Sequence, residues 1–493
     1  MQDVLRSSTT EYDEGDFHMS KRTLRQGGVV IASLALTLTA CGGSSKSDNG
    51  ASGSSGGGSS AGASGGAAAG KTVQGKSGPL DCSVFSSFGD IKGKTISVYT
   101  TIVAPEDKPQ IDSYKPFEDC TGAKVNYEGN KDMESQLLVR IKGGNAPDIA
   151  YIPQPGLLQQ AVKAAGSKAD PAPQTVIDNV TKYFGKDWAG YGSVDGKLYA
   201  APLGANVKSF VWYSPKMFKD HNYQVPTTWD QLMQLTAQIA KDDKNAKPWC
   251  AGFESGGATG WPGTDWVEEL MLRTAGPETY DKWVKHEIPF NDPSVVKALD
   301  TAGAILKNPA YVNGGYGGVK TIATTAFQDG GQPILDGTCY MHQQASFYAA
   351  NWPKGTKIGP DGDIFAFYEP SMDASSKPVE GAGEFVASFR NAPEVEAFRT
   401  YLSSPFWANE KAIISTGWVS ANKGANIANF KNPIDALSVK TLQDPATVFR
   451  FDGSDAMPAA VGTGSFWKGM VNWITGASTK SVLDSIEASW PKS

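Results

Sequence analysis

The chain has 493 residues, with 45 Lys and Arg against 51 Asp and Glu for a formal charge of -6, and 40% of it is hydrophobic. A mildly acidic chain lacks the basic footprint that nucleic acid requires, so that class of partner is excluded. Five cysteines and four histidines, with no two cysteines at CxxC spacing and no ligand-spaced histidine pair, argue against a thiol or imidazole metal centre.

Near the start, Lys21, Arg22 and Arg25 precede an apolar stretch over 29–40 that closes in Leu38-Thr39-Ala40-Cys41. Basic residues hold such a segment in the cytosol, the apolar run enters the membrane, and small residues before the cysteine admit a peptidase once the thiol carries diacylglycerol. The run is shorter than the ~20 residues of a spanning helix. Residues 1–40 therefore read as a lipoprotein signal peptide and Cys41 as the lipidated first residue of the mature chain. Residues 1–18 set Asp3, Glu11, Asp13, Glu14 and Asp16 against a lone Arg6, unlike a signal start, so Met19 is the expected initiator. Losing the five acids and four bases of 1–40 takes the formal charge from -6 to -5. Gly, Ser and Ala then dominate 42–78, too little apolar surface to offset the entropy of ordering, so 41–80 is expected to be a flexible tether.

The remaining ~410 residues exceed what one hydrophobic core organises, which predicts two lobes. Residues 95–101 read as a strand, 111–120 as a helix, 125–128 as a strand, and 133–142 as a helix with Leu137, Leu138 and Ile141 at helical spacing. The turn Gly143-Gly144-Asn145-Ala146-Pro147-Asp148 leads into an apolar strand at 149–152. Strands alternating with helices imply an α/β fold with a mainly parallel sheet, whose ligands collect where strands end, at 100–106 and 152–156. Further on, 198–203 and 208–213 read as extended, and 229–241 as a helix capped by Thr227 or Thr228. Residues 253–266 look loop-like, 295–306 and 393–402 helical, 338–341, 364–368 and 384–389 extended, and 471–488 one helix. With Cys41 assigned, Cys82, Cys120, Cys250 and Cys339 allow two disulfides in three connectivities.

Glu254, Thr259, Trp261, Thr264 and Asp265 crowd one stretch, and Trp418 and Trp467 also stand in polar, glycine-rich settings. A sugar presents flat C–H faces that stack on aromatic rings and hydroxyls that pair with carboxylates and amides, which is the chemistry these residue types supply. Tryptophan also fills cores, so each of these has that second reading.

In segment order the chain resembles the extracytoplasmic solute-binding proteins of bacterial ABC importers, of the maltose-binding type. The resemblance is carried by residues 143–150 with Pro153-Gln154-Pro155-Gly156, by 207–215 followed by Pro226-Thr227-Thr228-Trp229, and by Gly260-Trp261-Pro262-Gly263-Thr264-Asp265-Trp266. That last motif, with Trp249-Cys250, Glu254-Ser255, Met457-Pro458 and Ser465-Phe466-Trp467, is similar to the alpha-glucoside-binding branch. It implies a two-lobed periplasmic-binding-protein (Venus-flytrap) fold with hinge crossovers. The first lobe is expected at 81–205 and 352–402 and the second at 206–351 and 403–493. Pairing within lobes then gives Cys82–Cys120 and Cys250–Cys339.

Carried over residue by residue, the resemblance implies ligand contacts from Glu106 or Asp107, Asp132 and Gln154 in the first lobe, and from Asn206 and Lys208 at the crossover. It implies Glu254, Trp261, Thr264, Asp265, His342, Gln343 and an aromatic platform at Trp467 in the second, with Gly383 and Glu384 on a returning loop. Ala382-Gly383-Glu384 departs from the Asp-containing glycine turn expected there. Asp132 reads equally as the cap of the helix at 133, and His342 as a core histidine.

The implied protein is a lipid-anchored monomeric receptor on the outer face of a Gram-positive-type cell membrane. It needs no cofactor and no metal, binds an alpha-glucoside or related oligosaccharide between its lobes, and hands it to ABC permease subunits. A secreted glycoside hydrolase using Glu254 and Asp265 is the rival reading, weakened because GxSxG occurs only in the Gly/Ser tether, never after residue 80, and HExxH nowhere. A same-fold receptor for a different solute is the third.

Overall fold

A computed structural model describes residues 70–491 except Tyr316 and Ala374. The signal peptide, Cys41 and most of the tether lie outside the described residues. The end of the expected tether is a hairpin instead: Thr72–Gln74 pairs antiparallel with Pro79–Asp81. Leu80 is buried against Phe85 and Ile91, which gives this end an apolar anchor that composition alone understates.

The first sheet runs Lys124–Gly129, Thr95–Thr100, Ile149–Ile152, Phe385–Ser388, Ala201–Pro202. Its first three strands are parallel and Phe385–Ser388 enters antiparallel. Ile149–Ile152 is buried along its whole length, as a central strand covered on both faces must be. The helices Met133–Lys142 and Pro155–Ala165 bury Met133, Leu137, Leu157 and Leu158 on one face, and Phe117, Phe398 and Tyr401 fill the other.

The second sheet runs Val312–Asn313, Lys247–Cys250, Cys339–Gln343, Phe210–Tyr213, Phe365–Tyr368. The helices Trp229–Asp242, Trp261–Thr274 and Pro293–Leu306 pack their apolar stripes over it with Trp249, Trp266, Leu270 and Leu299. Thr228 caps the first of these, its side chain accepting from the Gln231 N–H. Both disulfides form as paired above, Cys82–Cys120 in the first lobe and Cys250–Cys339 between neighbouring parallel strands of the second.

A third, three-stranded sheet joins the lobes: Thr447–Phe451, Lys377–Ala382 and Asn206–Val207. Its strands correct the expected boundaries. Phe365–Tyr368 pairs with Phe210–Tyr213, so the second lobe extends past residue 352 and the chain returns only at Lys377–Ala382. Helix Pro405–Ile414 likewise sends Trp407 into the first-lobe core, past the expected limit of 402. Strand pairing and burial assign these segments, and neither is visible as a local pattern.

Two local expectations also change. Residues 253–266 are not all loop, because helix Trp261–Thr274 starts inside them. Gly260 precedes it at φ +114°, where a Cβ would lie 2.2 Å from the Trp467 carbonyl, and Pro262 sits in the first turn, where its missing N–H costs nothing. The single helix expected over 471–488 is two, Trp467–Thr475 and Thr479–Ala488, parted at Gly476 with φ +135° and restarted by the Ser478 cap.

Candidate functional site: the cleft between the lobes

Two connected chambers lie at the junction of the lobes. The inner one measures about 150 Å³ and the outer about 370 Å³, and they share Ile102, Glu106, Asn206, Phe347 and Glu384. Both loops that follow first-sheet strands reach the inner chamber, through Thr101, Val103 and Glu106 and through Pro153 and Gln154.

The first-lobe wall is acidic. Glu134 sits in the first turn of helix Met133–Lys142, where a carboxylate suits the helix dipole, and its Oε1 accepts from Gln154 Nε2 at 3.5 Å. Glu134 Oε2 and Gln154 Oε1 are shielded from solvent and have no hydrogen-bond partner. Burial pushes the Glu134 carboxyl up to about 7, and it does the same to Glu106, which accepts from Asn351 Nδ2 at 3.2 Å. Burial also drives Lys411, on the outer chamber, down to about 7, against the pull of Glu384 and Glu106.

The second-lobe wall is aromatic. Trp261 meets Phe327 edge-on at 5.1 Å between centroids and Phe347 at 6.0 Å. Trp467 lines the same chamber, and its indole Nε1 has no partner. Trp352 and Trp418 extend aromatic surface into the outer chamber.

Lys208 forms the floor, 5% exposed, with its Nζ 5.4 Å from the Trp261 ring centroid. It donates to Asp265 Oδ1 at 2.8 Å and to Asp452 Oδ2. Burial alone pushes the ammonium pKa down, but the carboxylates of Asp265, Asp452, Asp455 and Glu380 overrule it and the net shift is upward, so Lys208 stays charged.

Of the expected contacts, Glu106, Gln154, Asn206, Lys208, Trp261, Gly383, Glu384 and Trp467 line the inner chamber. Six others stand elsewhere. Asp132 does not line the chamber; it stands at the N-cap position of its helix without a side-chain cap bond, and its Oδ1 accepts the Gly257 N–H of the opposite lobe at 2.8 Å. Glu254 folds onto the Gly256 N–H at 2.7 Å, and Thr264 is buried with its hydroxyl on the Trp261 carbonyl. Asp265 lies beneath the floor with Lys208. His342 and Gln343 are buried on the strand Cys339–Gln343, and His342 Nδ1 faces the Cys250 carbonyl at 2.8 Å. Burial lowers its pKa to about 4, so it is a neutral core histidine.

Sequence reasoning missed Glu134, Phe327, Phe347, Asp452 and Asp455. Asp452-Gly453-Ser454-Asp455 was the available signal, an acidic cap and a first-turn acid of the short helix Gly453–Ala456 directly after the strand Thr447–Phe451. Glu134 stands two residues from Asp132, on the face that turns inward.

Two lobes on mixed sheets, three crossings between them and an aromatic-walled, acid-rimmed cleft at the crossings define a hinged solute receptor. The chain belongs to the bacterial extracellular solute-binding protein family, whose model matches residues 101–405. It is 38% identical over 418 residues to the "Alpha-glucosides-binding periplasmic protein AglE" of Rhizobium meliloti, covering 82% of this chain and 89% of that protein. The same identity holds over 408 residues with the "Osmoprotective compounds-binding protein GgtB" of Synechocystis sp., covering 82% and 94%. Among solved structures, the bacterial solute receptor AcbH superposes with a TM-score of 0.68 at 18% identity, over 80% of this chain and 98% of that one, a likeness of fold. Membership in a family of receptors sets the hydrolase reading aside.

Proposed function

We propose that this receptor binds an alpha-glucoside or related oligosaccharide in the cleft and delivers it to an ABC permease. One observation carries the reading: Glu134 Oε2, Gln154 Oε1 and Trp467 Nε1 are buried, unpartnered and on one chamber. A buried polar atom without a partner costs roughly 1–3 kcal/mol, so such atoms mark where ligand groups belong. Hydroxyls satisfy these two acceptors and one donor, and the Trp261, Phe327 and Phe347 rings face the apolar side of a sugar. The connection to the outer chamber lets a second unit extend past Glu384 and Lys411 toward Trp352 and Trp418. The 38% identity with an alpha-glucoside-binding relative supports a glucoside ligand.

Titration with maltose, trehalose, sucrose and maltodextrins is expected to change tryptophan fluorescence with at least one of them, and silence toward the whole panel removes the substrate class. Glu254 and Asp265 do not face one another across the chamber, so labelled maltooligosaccharides are expected to stay intact on incubation. We further infer that Cys41 carries a lipid that keeps the receptor beside its permease on the outer face of the membrane. Cys41→Ser is expected to move the protein from the membrane fraction to the soluble one, and unchanged fractionation refutes the anchor.

A further inference from the structure

Beneath the chamber floor lie more buried carboxyls than buried cations. Arg273 is committed to Glu269 and Glu369, and Lys208 to Asp265 and Asp452. Glu268, Glu380 and Asp455 have no ion pair, and 0%, 0% and 6% of their surface is exposed. Glu380 stands on the hinge strand Lys377–Ala382, and neither of its carboxyl oxygens has a hydrogen-bond partner. Glu268 Oε2, on helix Trp261–Thr274, is unpartnered too, while its Oε1 accepts the Ser454 N–H at 2.9 Å. Isolated carboxylates are not buried in this way without a counter-charge.

One oxygen from each of Asp265, Glu268, Glu380 and Asp452 falls in a cluster whose members all lie within 4.8 Å of one another. Calcium takes oxygen ligands at ~2.3–2.6 Å in flexible geometry, which puts opposed ligands ~4.6–5.2 Å apart, whereas magnesium demands a tighter, near-ideal octahedron. A spread of up to 4.8 Å leaves room for the larger ion. We propose that Asp265, Glu268, Glu380 and Asp452 form a binding site for a hard divalent cation of the calcium class.

The Lys208 ammonium takes one oxygen each of Asp265 and Asp452, so these two carboxyls are shared between ammonium and ion, while Glu268 Oε2 and both Glu380 oxygens are unpartnered and free for it. Asp452 and Asp455 also line the inner chamber, so the ion enters through the floor of the cleft. Its ligands come from a second-lobe helix, the crossing strand Lys377–Ala382 and the cap of the short helix Gly453–Ala456 that follows the crossing strand Thr447–Phe451. A bound ion therefore ties two of the three crossings to the second lobe and stiffens the hinge. A proton shared by Glu268 and Glu380 is the competing way to neutralise the pair.

The mature chain, stripped with EDTA and dialysed, is titrated with calcium chloride by calorimetry, by tryptophan-sensitised terbium luminescence and by thermal melting. The expected result is a single saturable site and a rise of several degrees in Tm, both lost in Glu380→Gln and Glu268→Gln and both kept in Asp484→Asn, a surface carboxyl. The amide variants remove buried charge at constant shape, so they are expected to fold. No heat and no Tm shift in the wild-type protein overturn the site, as does a calcium response that survives both amide variants. A Glu380→Gln protein that melts higher than wild type, with calcium inert toward both, assigns the pair a shared proton and also overturns the proposal.

Discussion

Glu134 is held off its ordinary pKa by the wall that desolvates it, with Gln154 as its side-chain partner. Its pKa rises from 4.5 to about 7 on folding, so the stability it contributes is full below about 4.5 and lost as pH climbs through about 7. A ligand hydroxyl donating to Oε2 favours the ionised carboxylate. Glucoside affinity is therefore expected to increase as pH rises through about 7 and to flatten in Glu134→Gln, measured by calorimetry across that range. Trp467 needs a gentle substitution, because it is 4% exposed and its removal to Ala opens a cavity that costs ~3–5 kcal/mol. Trp467→Phe keeps most of the packing and deletes only the N–H donor. It is expected to weaken glucoside binding about fivefold, ~1 kcal/mol, with little change in Tm.

At the scale of elements, Cys250–Cys339 joins strands whose register it shares, Lys247 against Cys339 and Trp249 against Met341. It closes a loop of sequence separation 89, long enough for a cross-link to restrict the unfolded chain strongly. The double replacement Cys250→Ala with Cys339→Ala is expected to cost ~2–5 kcal/mol in denaturant unfolding without abolishing glucoside binding. Helices Met133–Lys142 and Pro393–Leu402 match their sequence pattern to the residue, because apolar spacing and flanking Asp, Gly or Pro mark both ends. Helix Trp261–Thr274 was hidden because nearly every residue of its second and third turns is buried, Glu268, Glu269 and Arg273 included. An all-round buried helix has no polar face to show a period.

At the scale of the whole molecule, polar contacts among the described residues that span the lobes include Asp132 to the Gly257 N–H, Lys131 Nζ to Gln328 Oε1 at 3.2 Å, and Asn351 to Glu106. They hold the lobes together in this arrangement, and opening of the hinge is expected to break them. Asp132→Ala removes the shortest of them without touching the chamber wall. Small-angle scattering is expected to show a larger radius of gyration for this variant in the ligand-free state, and calorimetry a several-fold weaker affinity, since ligand must then draw more open molecules closed. An unchanged radius and affinity assign Asp132 to local loop order alone.

Alternating strands and helices are a local signal and were enough for an α/β body, and chain length for two lobes. The fourteen expected cleft residues came from the family resemblance, and eight of them line the inner chamber. The lobe boundaries needed strand pairing between segments far apart in the chain, as when Phe365–Tyr368 joins Phe210–Tyr213. The same holds for direction. Whether His342 meets ligand or the Cys250 carbonyl depends on which face of a strand looks into the cleft, and one residue of register reverses it. The carboxyls under Lys208 were least legible, for Glu268, Glu380 and Asp452 each read as an ordinary surface acid until folding buries them in one place. Burial and charge proximity are properties of the assembled molecule, because both are set by neighbours that the chain brings together only when its three crossings are made.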